Sequence, residues 1–292
     1  MMDPSLSSFG HCSGRFALPW AFAGRPLTLH CYRPADLAGA HAPLVLVQHG
    51  VLRNGDDYRD FWIDAADRHG LQVIATTFSD EHWPGVESYN NGGVWQGDGQ
   101  LAAPASWAYR AIPALVEQLR LEQVLHDQPV YLFGHSAGGQ FVHRLTSLLG
   151  VQGLAGVVTA NPGWYTLADD ALAFPEGLAG VGLAPAALAR LLATPLVIFA
   201  GECDTDTGDP HLPAEPAALR QGPHRHARAL HYLKCARQQA ARLGMPLAWQ
   251  LHSVPGIGHD GEAMSAICAH WWFEGGLPSA DELGRLGGRQ IA

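Results

Sequence analysis

The sequence predicts an α/β fold built on a mostly parallel central sheet with helices on both faces. Three observations carry that expectation. Short, nearly continuous apolar runs alternate with longer amphipathic ones along the chain. Neither a shift in composition nor a low-complexity linker interrupts the alternation over 292 residues, so a single domain spanning 1–292 is expected. The apolar run at 129–134 also passes through Gly-His-Ser-Ala-Gly directly into an amphipathic run, as at a strand-to-helix turn.

In order, PLTLHCYR (26–33) has strand character, and PLVLVQHG (43–50) reads as a strand buried on both faces. These first two strands are expected to pair as an antiparallel edge hairpin. Residues 54–70 read as a helix stopped by Gly70, and LQVIATTF (71–78) as a strand. A long Gly/Asn/Pro-rich loop fills 79–104, followed by a helix over 105–121. PVYLFG (129–134) is a strand, 140–149 a helix, and LAGVVTA (154–160) a strand. A loop and a helix cover 161–193, with PLVIFAG (195–201) as the next strand. Residues 222–243 suit an amphipathic helix with Leu230, Leu233, Ala240 and Leu243 on one stripe. LAWQLHSVPG (247–256) is the last strand and 262–273 the last helix; the Gly-rich tail at 276–292 is expected to be loose.

Composition narrows the function. Hydrophobic residues make up 47% and charged residues 15% of the chain, which is not a disordered composition. The 18 basic and 27 acidic residues leave a formal charge of −9, which repels a phosphate backbone and disfavours nucleic acid as a partner. No uncharged apolar run approaches ~18 residues, so no membrane span is expected. The five cysteines are far apart with no CxxC pair, which disfavours a structural thiolate zinc site. The opening MMDPSLSSFGHCSGR lacks a basic n-region ahead of an apolar stretch; a cytoplasmic location is expected, with secretion left open.

The chemistry centres on Gly134-His135-Ser136-Ala137-Gly138. A serine on a sharp strand-to-helix turn needs residues without side chains two positions either side, and Gly134 and Gly138 meet that need. The turn lifts the Ser136 hydroxyl to the N-terminus of a helix, where negative charge is favoured. Serine requires a base, and the base an orienting acid. Of the 16 histidines, His259 stands out, in a glycine-rich loop between the last strand and the last helix. The adjacent Asp260 is read as the cap of that helix. Asp204, at the end of 197–204, is the preferred acid, with Asp206 and Asp209 open as alternatives in the same loop. The oxyanion donors are the N–H of Ala137 and, from the loop after 43–50, that of Val51. Arg53 and Asn54 are read as solvated, with Asn54 or Asp56 capping the following helix. No metal is implied, because HExxH and calcium-loop spacings are absent.

These residues resemble the α/β-hydrolase superfamily: His-Gly at 49–50, GHSAGG at 134–139, GECD at 201–204 and GIGHD at 256–260 agree in order over most of the chain. The resemblance implies the α/β-hydrolase fold and a Ser136–His259–Asp204 triad. The doubled glycine in SAGG and the length resemble the polyhydroxybutyrate depolymerase and feruloyl-esterase-like group. Extracellular members of that group carry a secretion signal and often a polymer-binding domain. Neither is visible, so a small soluble or oligomeric ester is the expected substrate. Ser136 argues against dehalogenases and epoxide hydrolases, which use Asp as nucleophile.

The reading is therefore a carboxylesterase-like serine hydrolase without cofactor. The competing readings are an amidase or peptidase with the same triad and a non-catalytic binding protein on the same scaffold. Trp83, Tyr89 and Trp95 in 79–104, with Trp164 and Tyr165 in 161–190, are the expected substrate-binding residues. The basic helix between Pro216 and His259 is read as a solvated face rather than an anion-attracting one. The expected partner is the substrate, with neither nucleic acid nor membrane; a homodimer is left open.

Overall fold

The computed structural model describes residues 6–37 and 42–288. Eight strands form one sheet: β1 (Gly14–Phe22), β2 (Arg25–Arg33), β3 (Leu44–Gln48), β4 (Gln72–Thr77), β5 (Val130–His135), β6 (Gly156–Ala160), β7 (Val197–Gly201) and β8 (Gln250–Val254). Their spatial order is β1-β2-β4-β3-β5-β6-β7-β8. From β4 to β8 all pairings are parallel, while β2 runs antiparallel to both β1 and β4. The helices are α1 (Gly55–Asp60), α2 (Ile63–His69), α3 (Gly85–Ser88), α4 (Ala111–Leu121), α5 (Ala137–Leu149), α6 (Ala187–Ala193), α7 (Pro216–Gln221), α8 (Arg225–Arg242), α9 (Gly261–Phe273) and α10 (Ala280–Gly287).

The apolar runs read as strands are buried on both faces. In β3, Leu44 and Leu46 join the core beneath α4, α5, α6 and α8, while Val45 and Val47 join the core beneath α2 and α9. With no solvated face, alternation is lost and the run is continuous.

The edge hairpin differs from the sequence expectation. It is formed by β1 and β2, and the strand at 43–50 pairs with β4 and β5 instead. Pro19 lies within β1, opposite Thr28. Proline is tolerated there because β1 is an edge strand, and the same residue hides the strand from pattern reading.

The expected helix over 54–70 is two helices. Phe61 caps the end of the first, and Trp62 opens the second and packs, fully buried, against Phe133 and Trp272. Gly70 closes α2 with φ of 65°, as its position suggested. The expected helix from 105 begins only at Ala111, after two short 3-10 turns. In α8 the buried stripe runs through Arg225, Arg228, Ala229, Tyr232, Leu233, Ala236 and Ala240, while Leu230 and Leu243 are exposed. The tail is not loose where it is described: Ser279 and Glu282 form a capping box for α10, which buries Leu283. Residues 289–292 of that expectation lie outside the described residues.

Candidate active site

Strand order reverses between β3 and β5, the place where open parallel sheets leave a crevice at their C-terminal ends. Every piece of the site emerges there. Ser136 follows β5 with φ of 57° and ψ of −118°, a conformation that a non-glycine residue rarely holds. The surroundings enforce it. A Cβ on Gly134 would meet the Gly138 backbone, and one on Gly138 would meet the carbonyls of Gln48 and His49, so helix α5 seats directly against the end of β3.

The Ser136 hydroxyl lies 3.0 Å from His259 Nε2, and His259 Nδ1 lies 2.8 Å from Asp204 Oδ2. A buried carboxylate accepts, so Nδ1 carries the proton and Nε2 is left to accept from serine. Asp204 is 3% exposed. Of its two alternatives, Asp206 is exposed and accepts from Gly208 N–H, while Asp209 pairs with Arg225 at 2.7 Å. Asp260 caps α9 through Ala263 N–H, as expected.

The N–H groups of Val51 and Ala137 have no hydrogen-bond partner among the described residues. Ala137 is the first residue of α5, where a helix leaves its donors unused. Val51 belongs to a braced loop. Phe78 N–H donates to His49 Nε2 at 3.0 Å, so the opposite ring nitrogen donates to the Gly50 carbonyl at 2.8 Å. Burial pushes the His49 imidazole down to about 3 and keeps it neutral. Arg53, at φ of 60°, is not solvated: its guanidinium donates to the carbonyls of Phe78 and Gly85 and lies 4.5 Å over the Tyr89 ring. Asn54 precedes α1, but its side chain donates to Asp57 instead of accepting a helix N–H.

Ser136 and His259 open into a cavity of about 200 Å³, lined also by Val51, Leu52, Asn54, Tyr58, Phe61 and His211. The five aromatics expected to bind substrate do not line it. Trp83, Tyr89, Trp164 and Tyr165 are buried, and Trp95 is half-buried with its indole N–H on the Phe174 carbonyl. They fasten the two long loops to the body of the protein. Trp83 donates to the Pro26 carbonyl, and Tyr165 exchanges two backbone bonds with the Gln221 side chain. The buried Arg144 lies under the Trp164 ring and donates to Asn90 and Thr166. The basic face of α8 is also not solvated at its start, since Arg225 and Arg228 turn inward.

Three contributors escaped sequence reasoning. Asn161, at φ of 44°, donates to the Gly258 carbonyl and accepts from Gly201 N–H, both at 2.8 Å. It ties the loop bearing His259 to the end of β7, from which the loop bearing Asp204 emerges, and Asn is among the few residues that tolerate that backbone. The Tyr58 hydroxyl lies 2.8 Å from His135 Nδ1, joining α1 to the nucleophile turn. Burial, then the nearby His259 charge, drives the His135 imidazole well below its ordinary value. Arg225 is the third. Nothing in local spacing marks these three residues. Among the described residues no group of three or more His, Cys, Asp or Glu side chains is placed to hold a metal, and no helix is long and apolar enough to cross a membrane.

No protein-family model matches the chain, and no curated protein does. Solved structures do. The poly(3-hydroxybutyrate) depolymerase LpqC of Bordetella parapertussis is 52% identical, with a TM-score of 0.93 over 97% of this chain and 98% of that one. Poly(aspartic acid) hydrolase-1 of Sphingomonas sp. KT-1 is 32% identical, with a TM-score of 0.83 over 88% of this chain and 97% of the other. An S-formylglutathione hydrolase from Agrobacterium tumefaciens, at 14% identity and a TM-score of 0.53 over 94% of each chain, shares the fold. With a relative of that identity over nearly its whole length, the chain belongs to the α/β-hydrolase superfamily, in its group of poly(3-hydroxybutyrate) depolymerase-like hydrolases.

Proposed function

We propose that the protein is a serine esterase that cleaves a carboxylic ester through an acyl-enzyme. Ser136 attacks the ester carbonyl while His259 takes its proton. Asp204 holds the imidazole tautomer and stabilises the cation. The N–H groups of Val51 and Ala137 bind the oxyanion, each donor of this kind contributing ~3 kcal/mol in the transition state. The protonated His259 then gives its proton to the leaving alcohol. Water, deprotonated by the same imidazole, releases the acid and restores Ser136.

The observation that carries this reading is the unbroken chain from Ser136 through His259 to Asp204, at 3.0 and 2.8 Å, beside two N–H groups with no partner among the described residues. A scaffold used only for binding has no reason to keep that chain intact. The substrate class we favour is a short-chain ester, including oligomers of 3-hydroxybutyrate, on the strength of the 52% identical depolymerase and the small cavity. The amide-cleaving alternative is favoured by the 32% identical poly(aspartic acid) hydrolase. A cytoplasmic location is part of the proposal, and cell fractionation tests it.

The test is turnover of p-nitrophenyl esters from acetate to palmitate, with Ser136→Ala as control and an anilide of the preferred acyl group alongside. Serine-dependent ester turnover with a slow anilide supports the esterase. A faster anilide moves the protein to the amidases, and the absence of both turnover and fluorophosphonate labelling ends the catalytic reading.

A further inference from the structure

Two carboxylates meet one buried guanidinium behind His259. Arg225 opens α8 and is 2% exposed. Its Nη1 lies 2.7 Å from Asp209 Oδ2 and 3.4 Å from Asp204 Oδ1. The other Asp204 oxygen accepts from His259, so Asp204 is held at one oxygen by the imidazole and at the other by the guanidinium. A carboxylate taken this far out of water is costly unless a charge accompanies it. Arg225 supplies that charge, although its Nε and Nη2 find no hydrogen-bond partner among the described residues.

One cation would neutralise Asp204 alone. Asp209 adds a second anion to the same nitrogen, and it lines the cavity beside Ser136 and His259. Burial pulls the Asp209 carboxyl up, but the His211 N–H and the Arg225 guanidinium outweigh it and hold the group below the usual carboxylate range. Asp209 therefore stays ionised at neutral pH. Asp204, Asp209 and Arg225 then sum to one negative charge, which is balanced when His259 takes the serine proton.

The other groups facing His259 do not cancel this arrangement. His135, whose ring lies 4.7 Å away, is kept neutral by burial, and Tyr58 is kept neutral because burial raises its hydroxyl. Asp260 spends one oxygen capping α9, and His211 lies across the cavity. We propose that Arg225 and Asp209 are positioning residues for this triad: the guanidinium fixes the Asp204 carboxylate, and Asp209 supplies the negative charge that strengthens His259 as a base. The proposal rests on the serine-esterase reading for its catalytic meaning, while its electrostatic core concerns His259 alone.

The test measures the His259 pKa twice, by NMR titration of its imidazole and from the acid limb of kcat/KM on p-nitrophenyl butyrate. Asp209→Asn, at a half-buried site, removes a negative charge and should move both values down by roughly half to one pH unit. Arg225→Met removes a positive charge and should move the titration the opposite way, while Arg225→Lys should return it close to the wild-type value. If Arg225→Met does not fold, Asp209→Asn and Arg225→Lys still decide. A lower rate in Asp209→Asn with an unmoved imidazole titration overturns the proposal and leaves Asp209 a structural residue. Activity retained in Ser136→Ala would overturn the esterase reading instead, and the NMR arm would still report on Asp209 and Arg225.

Discussion

Tyr89 donates its hydroxyl to the His49 carbonyl at 2.9 Å and stacks on the His49 ring with centroids 4.5 Å apart. A residue that sequence reasoning assigned to the substrate thus clamps the loop that carries Val51. Tyr89→Phe keeps the stacking and deletes one buried hydrogen bond, worth about 1 kcal/mol. We expect kcat on the preferred p-nitrophenyl ester to fall about fivefold with KM nearly unchanged, because a loosened loop weakens oxyanion binding more than ground-state binding. A rise in KM at constant kcat would return Tyr89 to a substrate-binding role.

Ser136→Ala removes the proposed nucleophile without touching the core, and alanine, which keeps the Cβ, holds the same backbone conformation. Its kcat/KM on esters should fall at least about ten-thousandfold, and fluorophosphonate labelling should disappear. The thermal midpoint should stay level, which scanning calorimetry reads directly.

The acid is tested by paired variants. Asp204→Asn should cost roughly a thousandfold to ten-thousandfold in kcat, since the amide no longer enforces the imidazole tautomer. Asp206→Asn, at an exposed carboxylate bonded to its own loop, should remain within about twofold of wild type. The reverse ranking would transfer the role to Asp206.

Cavity size predicts chain-length preference. About 200 Å³ between Leu52, Phe61 and the triad suits a short acyl group. The kcat/KM for p-nitrophenyl esters should peak at acetate to butyrate and fall at least about tenfold by palmitate. A maximum at long chains would show that the acyl group extends beyond this cavity and would overturn the short-chain preference.

Stability should fall in mild acid. His49, His135 and His143 are buried, and burial depresses all three imidazoles, His49 to about 3. Below the unfolded histidine value near 6.5 the unfolded chain binds protons that the folded chain refuses, so stability is lost as pH falls from there towards the folded values. Each histidine can contribute up to about 2 kcal/mol between pH 8 and pH 5. Urea midpoints that stay flat over that range would mean that these side chains accept protons while folded.

Much of the fold was legible because burial on both faces writes itself as continuous apolar runs, as in Leu44–Gln48 and Val130–His135. The elbow was legible because steric exclusion at Gly134 and Gly138 leaves a sequence mark. The histidine loop was legible from its glycines and its position. Three kinds of information were not local. Strand β1 was hidden by Pro19, which is acceptable only because that strand ends up at an edge. The inward turn of Arg225 and Arg228 is decided by tertiary partners on distant loops, whereas their spacing alone reads as a basic surface. The aromatics of the long loops carry no mark that separates packing a loop down from lining a cavity; Trp83 and Tyr165 did the former.

The strand order has a kinetic consequence. Val51, Ser136, Asp204 and His259 are delivered by β3, β5, β7 and β8; β3 lies beside β5 and β7 beside β8, with β6 between the two pairs. The Asp204–His259 pair can form within the C-terminal segment, but Ser136 and Val51 reach it only when β5 and β3 have joined the sheet through β6. The long separations that must close before these strands meet make this region slow to form, and serine reactivity appears only after the parallel strands have joined. Recovery of fluorophosphonate labelling during refolding should therefore lag the return of helical circular dichroism and coincide with the last step of sheet closure.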